Sequence, residues 1–440
     1  MELFTILLVL FVLLLISYMF EKNLYNPLSV FLIIWIIIIS LSNLRLYDML
    51  PFSYRPCWIV LLGCFGYFVG YFFWKYSFSV KKANNINQNV KKYIFNDKAI
   101  KIINIILLLF YAITAIRVFI SMRKYGIDYS AMRTLYVNGT KEQQVELIFG
   151  SSLLQGLELL FFKPMLFAML SISIAKVFTN MKIDKQSLIT VITLLLNVAV
   201  NFGRIVLVQI AFCTIITYFT MGNKFSLEER KKIKRIVKKY VFPSFIIFLA
   251  IFMFLSSARQ SNRTNSLSFS EELYSYLAIP IPIMDHWLDY VDQNQVQTYG
   301  ALYIKGGLSI IDTFTNKVGL HLPGYLRSTE VVNSTQTFLH IFPNHNYNAF
   351  TSLFYYFYVD WRHIGVFLGS ALYGILMAAS YHKTKKEKGN LMSCVMYIML
   401  LQGLLKCFVR WEFVQMSYFL SFMFLFFLII KRKDNKYEKE

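Results

Sequence analysis

The chain has 440 residues, 57% of them hydrophobic and 18% aromatic, and a formal net charge of +21. A soluble protein of this length has too little interior to hide so much apolar surface, which excludes a water-soluble enzyme held by one anchor. In a soluble chain the positive charge would suggest nucleic acid, but here it is segregated into particular loops, and an anionic lipid surface is a sufficient partner.

A spanning helix needs about 20 predominantly apolar residues. In chain order the windows are Leu3–Phe20, Leu28–Ser42, Cys57–Ser77, Ile102–Ser121, Ser152–Phe178, Leu188–Val200, Ile205–Thr220, Val241–Ser256, His363–Tyr381, Leu391–Val409 and Phe413–Ile430. The expected fold class is therefore all-α, a polytopic membrane protein of about eleven transmembrane helices forming one integral membrane domain over residues 1–440. The first window has no basic start and no small-residue cleavage site, so a retained helix is expected there.

Lysines and arginines gather in the loop holding Lys81, Lys82, Lys91, Lys92 and Lys98, and in the run from Lys224 to Lys239. Two further groups lie at Lys383–Lys388 and in the tail from Lys431. If the windows alternate, all four fall on one side, which the positive-inside rule makes cytoplasmic. The amino terminus is then outside and the carboxyl terminus inside. The polar excursion Ser257–Phe350 becomes a large, partly helical extracytoplasmic loop inserted between transmembrane helices.

Within it, Ser270 with Glu272 suggests a helix start. Leu273–Leu277 and Met284–Val291 read as helices broken by Pro280 and Pro282, and Gly306-Gly307, Pro323-Gly324 and Pro343-Asn344 mark turns. A loop this long is usually functional, and a small helical cap over the outer mouth of the bundle is expected. The shorter outer loop from Tyr125 to Gly139 reads as a short helix along the interface. The cysteines Cys57, Cys64, Cys213, Cys394 and Cys407 all lie inside apolar windows, with no disulfide framework and no zinc spacing.

Ionisable groups at the ends of spans are the most informative residues, since a charge at bilayer centre costs about 2.5–3.5 kcal/mol even on a lenient scale. Arg117, Arg204, Lys406 and Arg410 fall near outer helix ends, with Arg133 and Arg259 just beyond the membrane. Lys406 and Arg410 are spaced to share one helical face. Glu158 and Lys163 lie inside the fifth window, as a structural pair or as functional groups. Snorkelling accounts for some single arginines, Arg117 first among them. Cations recurring together at outer head-group depth suit a phosphate or diphosphate, which arginine grips bidentately.

The segment Phe342–Gly374, FPNHNYNAFTSLFYYFYVDWRHIGVFLGSALYG, concentrates polar groups where the long loop returns to a helix. It holds His345, Asn346, Asn348, Thr351, Asp360, Arg362 and His363, and then Gly365, Gly369 and Gly374, which permit close helix packing. Asp360 or His345 is of the right type to accept a proton from an attacking hydroxyl; Asp360 could equally cap the following helix, and each histidine could be a solvated loop residue.

This segment resembles the carboxyl-terminal signature of Wzy-type oligosaccharide repeat-unit polymerases, the O-antigen, capsular and exopolysaccharide polymerases. Asn348, Thr351, Asp360 and Gly365 stand at the family's positions, although Asp360-Trp361 is followed by Arg362-His363 where the family has a glycine. Arg133 in AMRTLYVNG, the pair Gly203-Arg204, and Arg259 extend the similarity, as does one dominant late loop.

The resemblance implies a membrane glycosyltransferase at the outer face of the bacterial cytoplasmic membrane. Such an enzyme moves a growing glycan from undecaprenyl diphosphate onto a new lipid-linked repeat unit. Its partners would be the lipid-linked oligosaccharide donor and acceptor, membrane lipid and a chain-length regulator, with no cofactor, metal or nucleic acid. In this reading Arg204 and Arg259 hold the donor diphosphate and Arg133 or Arg410 assists. Asp360, His345 or Asp285 takes the proton, Asn348 orients the sugar or backbone beside Thr351, and Trp287, Tyr290, Tyr299 and Tyr303 offer ring platforms. A lipid-linked oligosaccharide flippase or other transporter, a glycan ligase and a receptor-like binding protein are the rival expectations.

Overall fold

The computed structural model describes residues 1–79, 93–203, 205–222, 225–241, 268–320, 322–343, 345–386 and 390–431. Among these residues the chain is overwhelmingly helical, and seven helices are long and apolar enough to cross a membrane, which is compatible with a membrane location. They are Glu2–Glu21, Pro27–Leu44, Arg55–Ser77, Asp97–Tyr125, Ser152–Asn180, Ile205–Gly222 and Ser352–Lys386. Three expected spans form shorter helices, Lys185–Asn201, Leu391–Leu404 and Met416–Phe427. The expected span Val241–Ser256 lies, but for its first residue, outside the described residues.

Local signals explain most boundaries. Asn26 accepts from the Ser29 amide at 2.9 Å, with Pro27 at the first helical position, where a missing N–H is harmless. Asp128 caps Tyr129–Asn138 and Ser268 caps Phe269–Ala278. The second of these starts two residues before the expected signal at Ser270. Pro280 opens the next helix, Pro280–Gln293, after a single-residue break at Ile279. The doublet Gly306-Gly307 forms no turn; it lies in the first turn of the helix Lys305–Thr315. Pro323-Gly324 likewise begins the helix Pro323–Ser334. Two short antiparallel ladders interrupt the helical pattern, Tyr93–Phe95 with Ile429–Lys431 and Leu339–Phe342 with His345–Tyr347.

The chain divides into two compact units. The first comprises Met1–Lys81, Arg263–His382 and Leu400–Phe419. Its core is a close contact between the helices Arg55–Ser79 and Ser352–Lys386. A Cβ at Gly70 would sit 1.9 Å from the Ala371 carbonyl oxygen, one at Gly66 2.5 Å from that of Phe367, and one at Gly374 2.3 Å from that of Tyr67. Glycine on both partners lets the backbones touch, as in tightly packed membrane helices. The helix Pro280–Gln293 packs on Arg55–Ser79 and on Pro27–Leu44, and the Ser42 hydroxyl donates to the Ala278 carbonyl at 2.6 Å.

The second unit comprises Lys82–Asn262, Lys383–Met399 and Leu420–Glu440. Asp97–Tyr125 packs along Lys185–Asn201, and a buried polar chain ties this region together. Ser173 donates to Thr190 at 2.9 Å and Thr190 donates to Asn104 at 3.1 Å. Lys176 meets Asp97 at 2.5 Å.

Candidate functional site

The helix Ser352–Lys386 is interrupted at Trp361 and Arg362, whose φ/ψ values are −144/36° and 52/−138°. A non-glycine residue in the second of these conformations carries strain of about 1–3 kcal/mol, which the surroundings must hold in place. The surroundings are built from Asp360. Its carboxylate is fully buried; one oxygen accepts from the Thr298 hydroxyl at 2.5 Å and from the Gly300 and Leu302 amides at 2.9 and 3.2 Å. The other oxygen accepts from the Tyr303 amide at 3.1 Å. On the far side of the break the Tyr303 hydroxyl donates to the Gly365 carbonyl at 2.5 Å, and the ring stacks on Phe357 with centroids 4.8 Å apart. Trp411 Nε1 then donates to the Tyr303 carbonyl at 3.0 Å. The loop before Lys305 is thus clasped to both sides of the break. Burial, with the Asp360 carboxylate nearby, pushes the Tyr303 phenol upward, so it acts as a hydrogen-bond donor and not as a phenolate.

Beside the break lies a polar cluster. Arg55, at the start of its helix, donates through Nη1 to Asp289 at 3.1 Å and through Nη2 to Asp292 and to the Tyr358 hydroxyl. Tyr358 donates in turn to Asp292 at 3.1 Å. Arg362 approaches Asp292 at 3.7 Å and lies over the Tyr358 ring at 5.3 Å. Its Nη1 is buried with no hydrogen-bond partner among the described residues. Asp285 accepts from both the amide and the hydroxyl of Ser53, at 2.7 and 2.5 Å, just ahead of Arg55. The cluster joins two guanidinium groups, two carboxylates and a phenol, and Arg362 holds N–H capacity in reserve.

The residues expected from sequence fall into three sets. Arg204 and Arg259 lie outside the described residues. Arg133 belongs to the second unit, where its Nη1 donates at 2.8 Å to the Phe202 carbonyl, the carboxyl-terminal cap of Lys185–Asn201. Asp360, His345, Asn348, Thr351 and Arg410 belong to the first unit.

Within that unit Ser352 and Arg410 form a parallel backbone bridge, which brings Thr351 and Arg410 together. The Thr351 hydroxyl is buried and without a hydrogen-bond partner among the described residues. Asp360 stands nine residues further along the helix, about 13 Å away along its axis. Asn348 donates to the Gln336 carbonyl at 2.7 Å, and His345 is half-buried in its short strand opposite Phe342.

Two expectations change. Asp360 has both oxygens engaged by four donors of the chain, the arrangement of an anchor and not of a proton acceptor. The helix Leu391–Leu404 stops short of Lys406, so Lys406 and Arg410 share no helical face. Lys406 instead forms a buried ion pair with Glu412 at 3.1 Å. Glu158 interacts electrostatically with Lys163, as the structural pair would require, and accepts from the Tyr136 hydroxyl at 3.4 Å. Arg55 and Asp292 escaped sequence reading because each sits at a helix end where a charge is unremarkable, and Tyr358 reads there only as an interface anchor. Only the pairing across 303 residues from Arg55 to Tyr358 marks them.

No protein-family model matches the chain, and no curated protein or solved structure matches it. Among the described residues there is no group of three or more histidine, cysteine, aspartate or glutamate side chains able to hold a metal ion.

Proposed function

We propose that this chain is a membrane glycosyltransferase that polymerises lipid-diphosphate-linked oligosaccharide repeat units at the outer face of a bacterial cytoplasmic membrane. The observation that carries the reading is the strained break at Trp361–Arg362. It falls inside the segment that resembles the Wzy-type polymerases, directly after Asp360, and the Arg362 Nη1 beside it is buried without a hydrogen-bond partner among the described residues. Strain held in place by a dedicated clasp, next to uncommitted hydrogen-bonding capacity, is characteristic of binding and catalytic sites.

The chemistry suits the groups present. A glycosyl donor whose leaving group is a diphosphate needs cations where negative charge develops, and losing one such contact typically costs about 10²–10³ in rate. Arg204 and Arg259 are the proposed diphosphate ligands, with Arg133 or Arg410 assisting. Asp360 acts as a positioning residue that holds the loop and the break together. Asp285, which accepts from Ser53, and His345 are the proposed proton acceptors among the groups considered from sequence.

The test is to supply purified full-length protein with a synthetic undecaprenyl-diphosphate-linked repeat unit. A ladder of products supports polymerisation. Translocation without a ladder replaces the reading with a flippase, and transfer only to an unrelated acceptor replaces it with a ligase. In cells, Arg204→Ala is expected to abolish long polymer; normal polymer in that variant would remove Arg204 from the site.

A further inference from the structure

The second unit buries a carboxyl group that the proposed transfer does not use. Glu158 lies within the span Ser152–Asn180 and is 5% exposed. The Lys163 amide donates to the Glu158 carbonyl, five residues back and not four, so the helix widens there into a π-turn. Pro164 follows directly, and π-turns recur at functional sites. An ionisable side chain inside a spanning helix is costly and marks ion and proton pathways.

Three other helices turn polar groups towards this carboxyl. Tyr136, on the short helix Tyr129–Asn138, donates its hydroxyl to Glu158 Oε1 at 3.4 Å. Tyr111, on Asp97–Tyr125, is fully buried and faces Glu158 and Asn197, yet its hydroxyl makes no well-formed hydrogen bond among the described residues. Asn197, on Lys185–Asn201, spends its side-chain oxygen on the Asn201 amide group at 2.8 Å. What it can offer Tyr111 is its NH₂, which leaves the Tyr111 proton for Glu158. Among the described residues the titratable groups facing Glu158 are thus Tyr111, Tyr136 and, on its own helix, Lys163.

Two demands on Glu158 oppose each other. Burial favours the neutral acid, whereas Lys163 and two phenol donors favour the carboxylate. Either form can be held, because a phenol hydroxyl donates to the anion and rotates to accept from the acid. Tyr136 is partly exposed, so one hydroxyl separates the buried carboxyl from the surface of the unit.

We infer that Glu158 is an exchangeable proton site, a carboxyl that takes up and releases a proton through the Tyr136 hydroxyl. On uptake the Tyr136 proton passes to Glu158 while the phenol takes one from hydronium at the surface, leaving water; release runs in reverse. A proton is the ligand that fits. It cancels the one negative charge, whereas a metal ion would bring a second positive charge beside the Lys163 ammonium. The site stands independently of the transfer reaction proposed above.

The experiment follows full-length protein in nanodiscs by infrared difference spectroscopy across a pH titration, reading the carbonyl band of a protonated carboxyl. Wild type is expected to show a reversible band that Glu158→Gln removes and Glu158→Asp displaces. Tyr136→Phe keeps the ring but removes one donor to the anion, and should raise the midpoint by about 0.5–1 pH unit. A Glu158 band absent at every pH identifies a permanently ionised partner of Lys163 and overturns the inference. A band present at every pH identifies a sealed neutral acid and overturns it too, as does an unmoved midpoint in Tyr136→Phe. Sodium that removes the band at constant pH would assign the site to a metal ion, with the same consequence. Carbodiimide labelling of wild type needs no variant to fold: mass spectrometry should find Glu158 modified at low pH and spared at high pH. Equal labelling at both overturns the inference.

Discussion

Replacing Asp360 separates its two possible roles. In Asp360→Ala, four donors lose their acceptor, and two of them, on Thr298 and Leu302, sit in residues only 3% and 0% exposed. A buried donor left unsatisfied costs about 1–3 kcal/mol, so these two alone predict a loss of about 2–6 kcal/mol. That is a large part of an ordinary folding free energy of about 5–15 kcal/mol. Asp360→Asn is gentler. Its amide oxygen can keep the three donors that share one carboxylate oxygen, but its NH₂ then faces the Tyr303 amide, for a loss of about 1–3 kcal/mol. Thermal melting of purified protein, limited proteolysis of the 294–304 loop and transfer activity per folded molecule read the outcome. An anchor predicts early proteolysis, a lowered melting temperature and activity that follows the folded fraction in both variants. An Asp360→Asn protein that melts like wild type and loses all transfer would behave as a proton acceptor and refute the anchoring role.

Lys406→Met strands a buried Glu412 and should cost about 3–5 kcal/mol, and adding Glu412→Leu should recover most of it, because a whole buried pair is often replaceable where half of one is not. Melting temperatures of the two variants check this, and a double variant no better than the single would contradict it. Arg362→Gly relieves strain of about 1–3 kcal/mol against loss of a partly exposed contact with Asp292 at 3.7 Å and of the contact with the Tyr358 ring. It should melt at or above the wild-type temperature with reduced transfer, whereas lower stability with full transfer would assign Arg362 to structure alone. Gly70→Leu forces a side chain into the Ala371 backbone and should destabilise the protein by about 3 kcal/mol or more, seen as a lowered melting temperature in detergent. A neutral effect would mean that the two helices do not touch there.

Apolar periodicity and length made the helical architecture legible. The ten windows within the described residues all contain helix, the structure in which a long apolar run such as Leu3–Phe20 satisfies its own backbone, as a membrane location would require. The proline break at Pro280 was legible too, since proline can begin a helix but not continue one across it. Harder to read were places where a tertiary partner decides. Gly306-Gly307 has turn composition, yet helix wins because only a side chain lacking Cβ allows the approach to Phe413. Lys406 and Arg410 have helical spacing, but the helix ends at Leu404 and Glu412 claims the lysine. In the candidate site, Asp360 was visible through its surroundings in sequence, but its commitment to residues 298–303 was not.

The clasp at Asp360 also orders events during synthesis. Thr298 precedes its acceptor by 62 residues, so at ordinary translation rates its hydroxyl and the neighbouring amides wait about 3–12 s for Asp360 to be made. Until then the loop has no internal acceptor for these donors and must stay hydrated. The segment ahead of Lys305 can therefore dock only after the ribosome has delivered the following hydrophobic helix, and a nascent chain truncated before Asp360 would expose this loop to proteases.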